Sequence, residues 1–385
     1  MLRSLSARGS KSGVTLAPVK ENRPSSGDFA QQRTETIMPR LTEKRAMILL
    51  FMIGIIFCPI GQYIRYLNED VFEQTKVYDG DDADVQGCSI SESNQKNVCT
   101  VTFQLDKDVT GPLYVYYQLR NVYQNHRRYV NSKSIQQNLG NNLKKSDVEL
   151  ECSPLVTLNY ENDDDINGPG GEQLLNPCGL IANSMFNDII KFDSASSTKG
   201  GISMDETGII LPTDKDKYKQ VEGFTMRKMP GSGSECKDSS DQNPTCETGE
   251  KCYEQSGDLY CYSYPDEDTV QYLYETFPDN ISPLDGVTDE HFIVWMRTAG
   301  LPSFRNLYGK FDSDFNRGDV ISFEVTANFE VNSFKGSKAI ILTTVGAYGG
   351  ANPFLGSCFI VIGSISFFLM AVIAAKYLIR RYNQR

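Results

Sequence analysis

Cysteine is the side chain with the most chemistry to offer in this sequence: ten are present, against two histidines, His126 and His291. Eight of them, Cys88, Cys99, Cys152, Cys178, Cys236, Cys246, Cys252 and Cys261, lie between two long apolar stretches, and Cys58 and Cys358 lie inside those stretches. Thiols in this number point to disulfides in an oxidising compartment, to zinc, or to a nucleophile. Zinc is disfavoured, because no CxxC pair occurs and histidine is scarce. Cys88 and Cys99 bracket a short loop at the foot of a strand pattern. Cys152 and Cys178 close a longer polar excursion that contains Asp163, Asp164 and Asp165. In the chain-entropy picture each such bridge stabilises by about 3 kcal/mol. Cys236, Cys246, Cys252 and Cys261 sit in a Gly, Ser and Asp rich stretch, about 225–265, that is too poor in large apolar groups to build its own core. Two bridges there act as staples, and three connectivities are open. Cys58 and Cys358 read as unpaired packing residues.

Other catalytic constellations are missing. The sequence has no GxxxxGK[ST] phosphate loop, HExxH pair or GxSxG elbow, and two histidines leave little for a nucleophile and base. Carboxylates are abundant, so carboxylate-only hydrolysis by an ectoenzyme is the one enzymatic chemistry left open. Asp163 to Asp165 lack the alternating ligands and the glycine of a calcium loop and read as a solvated acidic turn. No metal and no cofactor is expected. Asn280-Ile281-Ser282, with Pro283 behind it, is the single glycosylation sequon; the proline excludes Asn243-Pro244-Thr245.

The elements that must position these residues begin with the two apolar stretches, Ala46 to Ile64 and Phe354 to Ala375, neither of which contains a charge. A helix of about 20 residues spans a hydrocarbon core of about 30 Å. A signal peptide is not expected for the first, since a long polar segment precedes it and Arg65 and bulky residues follow where a cleavage site would need small ones. Residues 1–45 hold nine Lys or Arg against four Asp or Glu, and the tail 376–385 holds four basic residues and no acid. Both termini are therefore expected in the cytoplasm. The intervening 46–353 carries 25 basic and 45 acidic residues, which makes nucleic acid a poor partner. The first 40 residues, rich in Ser, Arg and Gly, are expected to be disordered, as a passive tail or one that meets anionic lipid or a partner.

Strand signals fill the middle. From Val320 to Val331 apolar and polar residues alternate, and after a Lys335-Gly336 turn the apolar run Ala339 to Val345 predicts the second arm of a hairpin. Cys99, Val101, Phe103 and Leu105 alternate likewise, and Leu113 to Leu119 follows a Gly111-Pro112 break, which predicts a second antiparallel pair. Between Val122 and Val130 the spacing shifts toward 3.6, predicting a short helix. The fold class expected is an α+β membrane protein: two transmembrane helices, 46–64 and 354–375, flanking one large β-rich, disulfide-stapled ectodomain, 65–353, with short helices.

Several strings are specific enough to identify. They are Phe29-Ala30-Gln31-Gln32-Arg33; the IGIIFCPIG core of the first span; Val122 to Val130 (VYQNHRRYV); and Asn176 to Asp188 (NPCGLIANSMFND). With Phe292 to Lys310 (FIVWMRTAGLPSFRNLYGK) and Asn352 to Gly356 (NPFLG), they resemble, from about residue 29 to 381 and in the same order, the cell cycle control protein 50 family. Members of that family are the non-catalytic β-subunits of type IV P-type ATPases, the lipid flippases. The resemblance implies a heterodimer whose large catalytic subunit hydrolyses ATP and moves aminophospholipid. This chain then enables its folding, export from the endoplasmic reticulum toward Golgi and plasma membrane, and activity. It also implies pairing of Cys88 with Cys99 and of Cys152 with Cys178. The four-cysteine stretch looks like an insertion, and the family's several glycans shrink to the Asn280 sequon.

A chain with two spans and no polar pathway cannot carry a lipid headgroup alone, but it can pack on a larger transporter. Small-residue faces, Gly54 with Cys58 and Ala371 with Ala375, are the candidate contacts in the membrane, and Pro59 is expected to bend the first helix. Phe29, Gln31, Gln32 and Arg33 are candidates on the cytoplasmic side. On the outer side the candidates are Asn125, His126, Arg127, Arg128, Asn352 and Pro353. Arg127 and Arg128 could attract headgroups or an acidic loop, though internal pairing with acids is the reading ranked first. His126 beside Tyr123 reads as a packed polar residue, and Trp295 as core beside Phe292 and Met296. The runner-up is a two-span, homotrimeric ligand-gated channel. Its spans would offer only Gln62, Ser357, Ser364 and Ser366 as main polar groups.

Overall fold

The structure, a computed structural model, describes residues 26–33, 41–85, 87–90, 96–159, 172–229, 246–247, 249–346 and 349–384. Cys236, the Asp163 to Asp165 run and Asn243 lie outside the described residues. The chain divides into two compact units, Met1–Cys58 with Val361–Arg385, and Pro59–Ile360.

Both apolar stretches form helices, Glu43–Glu69 and Pro353–Asn383, long and apolar enough to cross a membrane. Each runs past its apolar stretch into polar residues at both or one of its ends, and the first continues through Pro59. Within the first unit the two helices meet at small residues. A Cβ on Gly54 would stand 2.7 Å from the Phe367 ring, and one on Gly363 would stand 2.5 Å from Cys58 Sγ. Phe51 meets Phe367 edge-on at 6.1 Å. Glu43 pairs with Arg380, and Lys44 lies over the Tyr377 ring.

In the second unit the described strands are β1 (Glu73–Asp79), β2 (Asn97–Gln104), β3 (Leu113–Arg120), β4 (Thr157–Asn159), β5 (Glu172–Asn176), β6 (Ile189–Asp193) and β7 (Thr225–Lys228). They continue with β8 (Lys251–Gln255), β9 (Asp258–Ser263), β10 (Val270–Tyr272), β11 (Ser303–Phe311), β12 (Val320–Ala327) and β13 (Ser337–Thr343). Two antiparallel sheets, β1-β13-β3-β11 and β2-β12-β6, make the body. Their apolar rows share one core: Phe311 of β11 lies 5.0 Å from Phe192 of β6 and 6.2 Å from Phe323 of β12.

Both predicted hairpins are corrected. β12 pairs with β2 and β6, while β13 pairs with β1 and β3; β2 and β3 also lie in different sheets. Alternation correctly marks which face of β2 and β12 is apolar, but it cannot say which strand lies alongside. The clue is in β13, whose residues after Ser337 are all buried: an apolar run without alternation fits a central strand covered on both faces. β12 also stops at Ala327, short of Val331, because the next two backbone amides, of Asn328 and Phe329, donate to Asp188. The Lys335-Gly336 turn does form, with Lys335 left-handed at φ 54°, but it delivers the chain to the other sheet. The short helix expected near Val122 to Val130 spans Arg127–Asn131.

Two smaller sheets, β10-β5-β4 and β7-β9-β8, flank the body. The bridges Cys88–Cys99 and Cys152–Cys178 form as the resemblance implies. In the cysteine-rich stretch Cys246 pairs with Cys261, and Cys252 is also disulfide-bonded. Cys58 and Cys358 are free thiols.

Candidate functional site

The most heavily built cluster of polar groups is buried and ionic. Lys338 of β13 is wholly buried, and its Nζ lies 2.7 Å from Asp188 Oδ2, 3.2 Å from Asp79 Oδ2 and 2.6 Å from the Phe329 carbonyl. Asp188 also accepts from the Tyr78 hydroxyl at 2.8 Å and from the amides of Asn328 and Phe329, both at 2.6 Å. The ammonium donates to the Phe329 carbonyl and is flanked by two carboxylates, a pairing that lets a buried charge be tolerated, while Asp79 Oδ2 itself accepts no hydrogen bond. Burial, followed by the Asp188 carboxylate, pushes the Tyr78 hydroxyl well above its usual range. The cluster ties β1, β13 and the segment before β6 into one node. Nothing in the local sequence marks Lys338 or Asp79 as internal; each looks like an ordinary surface charge.

The family-like strings converge near that node. Trp295 Nε1 donates to the Ile181 carbonyl at 2.8 Å, and the Tyr129 and Ser184 hydroxyls lie 2.9 Å apart. Ala299 N donates to Gln124 Oε1 at 2.8 Å and Asn125 Nδ2 to the Gly300 carbonyl at 3.0 Å. Gly179 sits at φ +103° with Ser132 O only 2.3 Å from where a Cβ would be, so the NPCGL turn admits only glycine. Trp295 and Phe292 are core as expected. The strings therefore encode a structural knot, and Asn125, offered as a contact, has its side chain engaged within it.

Arg127 and Arg128 differ from the reading ranked first for them. They are exposed and, among the described residues, form no ion pair. They line an open recess of about 390 Å³ with His126, Glu151 and Leu150, the last 92% exposed. His126 is exposed at the start of the short helix rather than packed. On the other side of the 121–131 segment, a recess of about 300 Å³ is lined by Tyr123, Tyr129, Trp295, Phe329 and Phe334. The second histidine, His291, lies 3.1 Å from Glu206 and beside the Tyr308 ring. It shares a cavity of about 180 Å³ with the half-buried sequon residue Asn280.

Where the helices meet the β-rich body, Asn68 and Asn352 clasp each other: Asn68 Nδ2 donates to Asn352 O at 3.0 Å, and Asn352 N to Asn68 Oδ1 at 3.1 Å. Asn352 Oδ1 accepts from Phe354 N and caps the second helix, with Pro353 at the first turn, where a missing N–H costs nothing. Asn352 is thus committed within the chain. Lys107, from the loop after β2, donates to the carbonyls of Glu69 and Val71 at 3.2 and 3.0 Å and supplies the positive charge that the last turn of the first helix lacks. A Cβ on Gly61 would stand 2.7 Å from Gly356 O, so the helices approach backbone to backbone in this unit too. Gly54, proposed as a face for a partner, is turned to this chain's own second helix. Ala371 and Ala375 remain exposed, as do Pro59, Gln32 and Arg33; Phe29 is 88% exposed, and Gln31 is half-buried in a turn closed by its amide on Gly27 O. Sequence reasoning missed Asn68, Lys107 and Lys338. Only Asn68, a capping residue at the end of an apolar helix, carried a signal.

No nucleophile–base pair is assembled among the described residues. Cys246 and Cys261, whose sulfurs lie near the Glu250 carboxylate, are bonded to each other as a disulfide. The arrangement holds a shape and presents surfaces. Comparison with known proteins agrees with that character. The family model described as LEM3 (ligand-effect modulator 3) family / CDC50 family matches residues 63–383. Cell cycle control protein 50A of Bos taurus is 33% identical over 370 residues, covering 93% of this chain and 91% of that protein. ALA-interacting subunit 3 of Arabidopsis thaliana is 30% identical, covering 98% and 93%. The phospholipid-transporting ATPase accessory subunit CDC50 of Chaetomium thermophilum is 26% identical, covering 93% and 88%. With the second helix, the double sheet and the knot of strings inside the family model's span, and the first helix within the 93% of the chain matched by the bovine relative, this chain is an integral membrane protein that belongs to the LEM3/CDC50 family.

Proposed function

We propose that this chain is the non-catalytic accessory subunit of a phospholipid-transporting P-type ATPase. It stabilises the catalytic subunit, accompanies it out of the endoplasmic reticulum and supports its transport cycle. The observation that carries this is the end-to-end likeness to accessory subunits, which spans both helices and the whole β-rich body. The physical reading supports it: two helices packed on each other through glycines offer no polar route for a headgroup, and a body stapled by disulfides is suited to holding another protein.

Both termini lie in the cytoplasm, with the β-rich body in the lumen or outside the cell, as the basic flanks favour. The partner is met at three levels: by Phe29, Gln32 and Arg33 in the cytoplasm, by the Ala371 and Ala375 face in the membrane, and by the β-rich body beyond it. A subunit that binds at several levels favours whichever conformations of the pump fit it best. Asn280 is the glycan acceptor. Native mass measurement of the complex purified in mild detergent tests the reading. One copy of this chain bound to one large ATPase is expected; a homotrimer without an ATPase would contradict it and revive the channel.

A further inference from the structure

The cavity of about 180 Å³ beside His291 has a closed floor and an open mouth. Ile190 of β6 and Tyr308 of β11 are at most 7% exposed, and Tyr117 of β3 stacks on Phe186 with ring centres 4.0 Å apart. The rim reaches solvent at Lys191, Glu206 and Asp279. At ~30 Å³ per water the space equals about six waters, the scale of a single sugar ring.

The acids around this cavity already have partners. Glu206 faces His291, Asp279 pairs with Lys96, and Asp188 is held by Lys338, the Tyr78 hydroxyl and two amides. Carboxylates spent in this way favour a neutral occupant over a cation. The Tyr308 hydroxyl accepts from Ile190 N at 3.0 Å, while its own proton has no acceptor among the described residues. Burial raises that hydroxyl above its usual range, so it stays a donor. Aromatic walls with a few directed polar groups are the make-up of a ligand site. A pyranose, with C–H faces and oxygens around its edge, matches both.

Asn280 lines the same cavity, and its side-chain amide has no hydrogen-bond partner among the described residues. The backbone around it is pinned: Asn280 N and Ile281 N both donate to the Phe277 carbonyl, at 3.1 and 2.9 Å, and Ile281 is 2% exposed. The side chain is therefore free to carry a group, and the turn that bears it cannot swing away. A sugar joined to Asn280 Nδ2 is tethered at the cavity, which gives it a high effective concentration there.

We propose that this cavity seats the first N-acetylglucosamine of the chain's own Asn280-linked glycan, an inference that rests on Asn280 as the acceptor and on the lumenal placement of the β-rich body. The sugar lies against the His291 and Tyr308 rings, accepts from the Tyr308 hydroxyl, and sends the rest of the glycan out past the rim. It is attached before the chain folds, and folding then closes the cavity around it, so the half-burial of Asn280 is a consequence and not an obstacle. The sugar is a part of the fold.

The test uses the full chain, purified in mild detergent from a eukaryotic host restricted to high-mannose glycans, with mass spectrometry reading occupancy at Asn280. An endoglycosidase that cuts between the first two sugars should trim the native protein. The amidase that cuts the Asn280–sugar bond should act at least about tenfold more slowly on native than on denatured protein, because the bond is reached only by local opening. Protein trimmed to one sugar should keep its melting temperature, whereas Asn280→Gln and Ser282→Ala, which both abolish the sequon, should lower it by about 2–4 °C. Ser282→Thr keeps the sequon and should not. His291→Ala should cost more in the glycosylated chain than in the Asn280→Gln chain, which separates contact with the sugar from a general loss of packing. If a glycan on Asn280 is released from native protein as fast as from denatured, or if its loss leaves the melting temperature unchanged, the cavity proposal is overturned and the acceptor assignment stands. An unmodified Asn280 overturns both, and neither result touches the accessory-subunit reading.

Discussion

The sandwich and the cysteine-rich sheet solve the same problem in opposite ways. In the sandwich formed by the two body sheets, Phe103, Val115, Leu119, Phe323, Ile340 and Leu342 are wholly buried, and buried apolar area is the main contribution to its stability. In the β7-β9-β8 sheet, β7 is exposed along its whole length and β8 is at best half-buried. Its surface pairs, Arg227 with Glu250 and Lys228 with Asp258, are of the solvent-exposed kind that contribute little. What holds it is covalent, through Cys246–Cys261, and aromatic: Tyr262 of β9 lies 5.9 Å from Tyr274, and Tyr264, just after β9, lies 4.5 Å from Tyr272 of β10. A segment poor in large apolar residues can be added to a finished core when a staple and a seam replace the burial it cannot supply.

That contrast can be broken from the sandwich side first. Asp188→Ala strands Lys338 and two backbone amides in the core, and removal of one partner from a buried pair costs about 3–5 kcal/mol. The expected outcome is an unfolded, retained chain, whereas Lys228→Ala at the exposed pair should shift stability by less than about 1 kcal/mol; limited proteolysis reads both. Cys152→Ser comes next, at about 3 kcal/mol, and should hold the complex in the endoplasmic reticulum; normal delivery would show the bridge to be dispensable. Cys246→Ser should instead open only the β7-β9-β8 sheet, seen as new cleavage between 246 and 261 with the sandwich still resistant. Trp295→Phe removes one donor and leaves the Ile181 carbonyl unmet, for about 1–3 kcal/mol by thermal unfolding.

The smallest effect is a pH effect at the seam. Burial, above all, raises the hydroxyls of Tyr262, Tyr264, Tyr272 and Tyr274 above the ordinary value near 10. The folded state therefore holds these protons more tightly than the unfolded one, so the seam is fully stable below pH ~10 and loses stability as the pH rises past it. Absorbance of ionised tyrosine should appear together with protease access to the cysteine-rich sheet, before the sandwich gives way. Gradual ionisation with no release of that sheet would remove the seam from the explanation.

Much of this fold was legible, and the failures have one cause. Element type follows from local periodicity, so the two helices and the strands around Phe103, Val115 and Phe323 are readable from residues a few positions apart. Pairing is a long-range property. β2 finds β12 more than 200 positions away because their apolar rows face the same core, and sequence adjacency suggested hairpins that the second sheet pre-empts. The ionic node was illegible for the same reason: Asp79, Asp188 and Lys338 become a cluster only after three distant segments meet. Arg127 and Arg128 were noticed by their type, yet their lack of an ion pair depends on a surface no string of residues displays. Gly54 and Asn352 were singled out as contacts for a partner, and the contacts they make here are with this chain itself.

The most direct measurement is lipid translocation in proteoliposomes supplied with ATP, containing this chain alone, the catalytic ATPase alone, or both. The chain alone should be inert, and the pair should move phospholipid at a rate the catalytic subunit by itself does not sustain. Translocation, ion current or nucleotide turnover by this chain alone, or full activity of the ATPase without it, would contradict its role as an accessory subunit.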